Sequence, residues 1–306
     1  MDFLEAFLIT VVTASTPLLL AALGELVVER SGVLNLGVEG MMVVGAVCGF
    51  GAGLVSGNPW VGVLAAILAG MVLSALFGIL TMGFATNQVA TGLALTLLGI
   101  GLSGLIGEDF IGKPGKAMAA LPIPLLSQIP LIGPVLFARD PLVYLSFALL
   151  AGVSWFLFRS KAGLVLRAVG DNPESAHMLG YPVLRVRFLA ILFGGAMAGL
   201  GGGYLSIAYT PLWAEGMTAG RGWIALALVV FATWLPSRLL AGAYLFGLMT
   251  ILGFHAQAAG LGIPSQFLSS LPYLATIIVL VVISRRKALV AAHSPASIGR
   301  SFVPTH

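Results

Sequence analysis

Apolar runs of about 20 residues, separated by short polar links, recur along this chain from Phe3 to Ser284. A helix of about that length is what crosses a hydrocarbon layer, because each residue advances it by only about 1.5 Å. A water-soluble domain cannot be built from such runs. Only 8% of the residues are charged and 59% are hydrophobic, where a soluble domain carries about 25% charged residues. The pattern predicts an all-α polytopic transmembrane bundle of about nine spans, with eight to ten compatible. The runs cover roughly 3–24, 41–55, 60–84, 89–106, 141–158, 188–209, 223–235, 239–257 and 271–284. With 40 glycines and 16 prolines, close helix packing and broken helices are both expected. Gly195, Gly199 and Gly203 recur every four residues and should form one small-residue face. The expected organisation is a single membrane domain over 1–287 and a disordered cytoplasmic tail over 288–306.

Orientation is set by the stretch Arg159 to Arg187, RSKAGLVLRAVGDNPESAHMLGYPVLRVR, the long polar segment between the two apolar halves. Short loops rich in Lys and Arg stay on the cytoplasmic side, so this loop and the basic tail are expected inside. Within it, Asp171 or Asn172 can cap a helix, Pro173 suits its first turn, and Glu174 complements the positive end of the helix dipole. Gly180 and Pro182 then end it. Two readings fit this short helix: a docking element offered to a partner, or simply a solvated inside loop.

Little supports an enzyme. None of the four histidines sits in an H-E-x-x-H spacing, and no G-x-S-x-G motif occurs. The single cysteine, Cys48, excludes an internal disulfide and a cysteine-based metal cluster. Gly107 to Pro114 nearly spells a phosphate-binding loop. However, Pro114 stands where a Ser or Thr would hold magnesium, and an apolar helix precedes it instead of a strand. No cofactor, no metal, no nucleic-acid partner and no ATPase activity of the chain's own are expected; the surrounding partner is membrane lipid.

The sharpest internal signal is Gly24 to Gly40, GELVVERSGVLNLGVEG, which carries Glu25, Glu29, Arg30 and Glu39 beside two spans. A charge near the centre of a span costs about 2.5–3.5 kcal/mol on insertion scales, so these groups should be paired or sit at the rim. Gly32, Asn35, Gly37 and Gly40 suit a broken helix whose exposed backbone meets a polar solute. A tight inside turn with its charges in water fits equally. Asn87 and Gln88, at the mouth of the fourth run, can hydrogen-bond a sugar or base or merely form a polar turn. Phe231, Trp234 and Tyr244 are candidates to stack on a ring.

Taken in order, Gly24–Ala46, Val165–Ser206, Gly220–Pro236 and Leu240–Gly247 resemble the permease subunits of bacterial ABC importers in the branched-chain amino acid and ribose permease superfamily. The NLGVEGM opening is most similar to the nucleoside and simple-sugar branch. Ala232 stands where family members often carry glycine. The resemblance implies a permease in the bacterial inner membrane that moves nucleosides or related sugar-containing solutes inward by alternating access. It further implies a second homologous permease subunit or a homodimer, an ABC ATPase subunit, and an extracytoplasmic solute-binding protein or lipoprotein. On this resemblance Asp171, Asn172, Pro173, Glu174, Ala176, Met178 and Gly180 belong to a coupling helix that docks on the ATPase. Asn35, Gly37, Glu39 and Gly40 match the family's permeation-side signature, and Asn87 and Gln88 join them as pathway candidates. A stand-alone ion-coupled carrier is the alternative.

Overall fold

The computed structural model describes residues 3–260, 262, 264–284 and 293–303. It is an all-α bundle. Among the described residues, seven helices are long and apolar enough to cross a membrane. They are α1 (Phe3–Arg30), α2 (Val38–Ser56), α3 (Pro59–Gly78), α4 (Gln88–Gly107), α6 (Pro141–Arg159), α9 (Val183–Tyr204) and α11 (Pro236–Ala258). Two further apolar helices among the described residues are α10 (Arg221–Phe231) and α12 (Ser265–Ser284). α3 and α9 each continue into a wider π turn, Ile79–Gly83 and Leu205–Tyr209. Between α4 and α6 the proline-rich connection forms only short turns and the five-residue α5 (Ile132–Leu136). The prolines that forbid a long helix there explain this.

α9 is the axis of the bundle and packs against α1, α2 and α3. Its glycines make that possible. The face made by Gly195, Gly199 and Gly203 lies on Gly70, Ser74 and Ala66 of α3, as the four-residue spacing predicts. A second face carries Gly202, where an added Cβ would collide with the Met42 carbonyl oxygen of α2. Backbones this close gain dispersion contacts where lipid offers no hydrophobic drive.

The basic loop forms two helices, α7 (Lys161–Asp171) and α8 (Pro173–Met178). Only the second was expected. α7 turns a buried stripe of Gly163, Leu166 and Val169 inward, and Ser160 caps it by accepting the Gly163 amide at 2.9 Å.

The first helix also departs from expectation. It does not stop near Gly24 but runs unbroken through Glu25, Glu29 and Arg30. Those polar groups find partners inside the protein, so the helix need not end to release them to water.

The third departure is the tail. Residues 293–303 were expected to be disordered; instead they fold back on the end of the bundle that carries α7 and α8. Ser297 donates its amide to the Gly170 carbonyl at 3.0 Å and Gly299 donates to Gly32 at 3.1 Å. Composition misleads here because backbone pairing, a buried arginine and the packing of Ile298 and Phe302 hold the segment. Residues 285–292 and 304–306 lie outside the described residues.

Candidate functional site

Two groups of residues stand out: a buried polar cluster where α1 breaks into α2, and the exposed α8.

The break is shaped by its own sequence. Gly32, at φ +87°, takes the left-handed conformation that ends α1. The Val33 amide reaches back to Val28 and the Gly32 amide to Glu29, which satisfies the last carbonyls of the helix. The chain then folds back beside the final turns of α1. Asn35 holds this return: its Oδ1 accepts the Gly37 amide at 2.9 Å and its Nδ2 donates to Glu25 Oε1 at 3.5 Å. Gln88 Oε1 accepts the Leu34 amide at 2.9 Å, and Thr96 donates to the Leu36 carbonyl at 2.9 Å. The irregular backbone thus finds partners at the amides of Ser31, Gly32, Val33, Leu34 and Gly37 and at the Leu36 carbonyl, as a buried segment requires.

Glu39, in the first turn of α2, is 4% exposed. Its Oε1 accepts from Thr218 Oγ1 at 2.6 Å and from the Gly220 amide at 2.9 Å, and its Oε2 accepts the Gly222 amide at 2.6 Å. One carboxylate therefore caps α10, whose positive dipole end it faces. α10 starts inside the bundle, below a connection from α9 in which Trp213 packs on Gly107 near the opposite end of α4. It is a half-helix, the kind of broken element found at transport sites. At its other end the chain turns through Thr233 and Trp234, both at positive φ.

Trp234 donates its indole Nε1 to Glu29 Oε2 at 2.6 Å, and its carbonyl accepts from Arg30 Nη2 at 2.9 Å. Glu25 and Glu29 lie four residues apart, one turn on α1, both fully buried. Among the described residues each keeps one carboxylate oxygen without a partner, Oε2 of Glu25 and Oε1 of Glu29. These acids were expected to be paired or to sit at the rim; each has one neutral hydrogen-bond donor, Asn35 for Glu25 and Trp234 for Glu29. Arg30 instead holds the Trp234 and His293 carbonyls and lies over the Phe158 ring at 5.8 Å.

The six pathway candidates do not all meet. Asn35, Gly37, Glu39 and Gly40 are buried at the break, with Gly40 packed on the Leu95 carbonyl of α4. Gln88, 2% exposed, joins them through Leu34. Asn87 is exposed and caps α4 by accepting the Ala90 amide at 3.0 Å. Sequence reasoning missed Thr218, Gly220 and Gly222, which have only ordinary loop character. It marked Trp234 for ring stacking, whereas here Trp234 serves Glu29 as a donor.

α8 has the form its sequence predicts. Asn172 Oδ1 accepts the Ser175 amide at 2.9 Å, Pro173 is the first helical residue, and Gly180 at φ +87° follows the end. Asp171, Asn172, Glu174, Met178 and Gly180 are exposed, Pro173 is half-buried, and Ala176 is buried. Ala176 packs with Val169 and Val183, which seats the helix on α7 and α9. Met178 and Leu179 are 80% and 77% exposed. Large apolar side chains presented together beside polar ones mark an interaction surface. The phosphate-loop look-alike is a single 3-10 turn after α4, with Phe110 against Phe50.

A family model for the branched-chain amino acid transport system permease component matches residues 7–283. The chain is 41% identical to a putative glucose ABC transporter permease protein, TsgC13, of Haloferax volcanii, over 99% of this chain and 98% of that one. It is 33% identical to the guanosine ABC transporter permease protein NupQ of Bacillus subtilis, over 87% and 88% of the two chains. With the nucleoside ABC transporter permease protein NupC of Lactococcus lactis it shares 32% identity over 88% and 89%. A polytopic helical bundle matched almost end to end by these proteins belongs to the branched-chain amino acid transport system permease family, the membrane subunits of ABC transporters.

Proposed function

We propose that this chain is the membrane-spanning subunit of an ATP-driven importer for nucleosides or related sugar-containing solutes. The observation that carries the reading is the near full-length likeness to permeases named for guanosine, nucleosides and glucose. ATP is hydrolysed by a partner ATPase subunit. A second permease, homologous or identical, completes the pathway, and an extracytoplasmic binding protein or lipoprotein delivers the solute. The loop 159–187 and the C-terminus face the cytoplasm of the cell whose inner membrane holds the chain.

α8 is the coupling helix in this proposal. Its exposed Asp171, Asn172, Glu174 and Met178 meet the ATPase, while Ala176 and Gly180 fix its seat and its end. The break at Asn35, Gly37, Glu39 and Gly40, with Gln88, is the part of the pathway wall that reorganises during alternating access. Asn87 borders it as a helix cap.

Affinity purification of the native complex tests the assembly. An ATPase subunit and a permease protomer should come with this chain, and Glu174→Arg should reverse the charge at the contact and release the ATPase. Purification of a lone chain that still transports would sink the proposal and favour the ion-coupled carrier.

A further inference from the structure

Arg187 is fully buried, close to the start of α9, and among the described residues none of its acceptors is a carboxylate. Nε donates to the Ser31 carbonyl at 3.1 Å, Nη1 to the Arg300 carbonyl at 3.0 Å, and Nη2 to Ser297 Oγ at 2.9 Å. One planar fork thereby clamps α9, the start of the α1–α2 break and the C-terminal segment. Ser297 passes the connection on, because its Oγ donates to the Gly170 carbonyl of α7 at 2.6 Å. Gly299 pairs with Gly32, the residue that ends α1, and the Arg300 carbonyl accepts from Gln88 at 3.5 Å.

The other end of the same segment touches α8. Phe302 packs with Val169, Ala176 and Val183, and its ring meets His177 edge-on at 5.6 Å. A stretch of six residues, 297–302, thus joins α8 to the polar break by its own contacts. Arg187 fixes it between them.

We propose that Arg187 is a positioning residue for transport, which with segment 293–303 carries the movement of α8 to the α1–α2 break. The proposal rests on the coupling role given to α8 above. A buried guanidinium holding neutral acceptors is rigid and directional: moving any one acceptor breaks the fork's geometry, so the parts shift together. Lysine carries the same charge but has no fork and cannot hold the three acceptors at once.

The test is solute moved per ATP hydrolysed, measured on the complete transporter in proteoliposomes. Arg187→Lys, Phe302→Ala and Glu174→Arg are compared with the unaltered protein. The exposed edge of Phe302 makes its variant the one that assembles even if Arg187→Lys does not. Phe302→Ala should lower the ratio by roughly two- to thirtyfold, the range in which residues between coupled sites act. Arg187→Lys should lower it at least as far. ATP should continue to be hydrolysed without matching uptake, which a merely destabilised protein would not show. An unchanged ratio in Phe302→Ala, with transport lost in Glu174→Arg, would overturn the role of the segment and leave α8 as the coupling helix. Normal transport by Glu174→Arg would overturn the coupling reading and this inference with it.

Discussion

Glu39 Oε2 accepts the backbone amide of Gly222 at 2.6 Å, across 183 residues of chain. Together with the bonds from Thr218 and Gly220, this makes the first turn of α2 the anchor for the half-helix α10. Hydrogen bonds to a charged group contribute about 1.5–3 kcal/mol each. Glu39→Ala should therefore lower the melting temperature of the purified protein and abolish uptake. Glu39→Gln keeps one acceptor but aims an NH2 group at amide donors, and it should fall between. Wild-type melting and uptake in Glu39→Ala would remove this carboxylate from the framework.

Trp234 and Glu29 form the second long-range pair. Trp234→Phe keeps the ring and removes the donor, leaving both Glu29 oxygens buried without partners. The expected loss is about 1–3 kcal/mol, the cost of an unsatisfied buried group. Replacing Glu29 by Met in the same protein should recover most of that loss, since both polar partners are then gone. Stability of the two single variants and the double variant, compared as a cycle, reads the interaction directly.

Close approach at Gly202 gives a sharper contrast. A methyl group there meets the Met42 backbone, while at Gly152 a Cβ would find open space. Gly202→Ala should cost about 1–3 kcal/mol or prevent accumulation of folded protein. Gly152→Ala should be neutral or slightly stabilising, because alanine favours helix by about 1 kcal/mol over glycine. Expression and thermal melting of the two variants decide this.

The cap of α8 can be probed without touching the membrane. Asn172→Ala removes the acceptor for the Ser175 amide and should cost about 1 kcal/mol of local helix stability. Asn172→Asp or Asn172→Ser should preserve it. Amide exchange over 174–179 should accelerate in the alanine variant alone, and ATP-driven uptake should fall with it.

Much of this was legible in the sequence because it is local. The cap, proline and glycine of α8 lie within nine residues and specify one helix. The glycine face of α9 follows from a four-residue period, and the proline-rich connection could not be a span. What stayed hidden depends on distant partners. Nothing near Glu39 announces that its acceptors serve Thr218, Gly220 and Gly222. Glu25 and Glu29 read as groups that must be paired or sit at the rim, and nothing near them in the sequence names Asn35 and Trp234 as the donors they find. The segment 293–303 has the composition of a solvated tail, and its fixed place comes from backbone pairing, from Arg187 and from Phe302 against α7, α8 and α9. α7 was missed because its apolar stripe is short and sits among charges. Its amphipathic spacing was the available signal.

The central claim is that this chain imports solute only when a partner hydrolyses ATP. Uptake of labelled nucleosides and hexoses should be measured in proteoliposomes holding the chain with its co-purified partners, with ATP present or absent on the ATPase side. Uptake of one solute class that requires ATP and persists when ion gradients are collapsed is the expected result. Uptake that continues without ATP and stops when the ion gradient is lost would contradict the account.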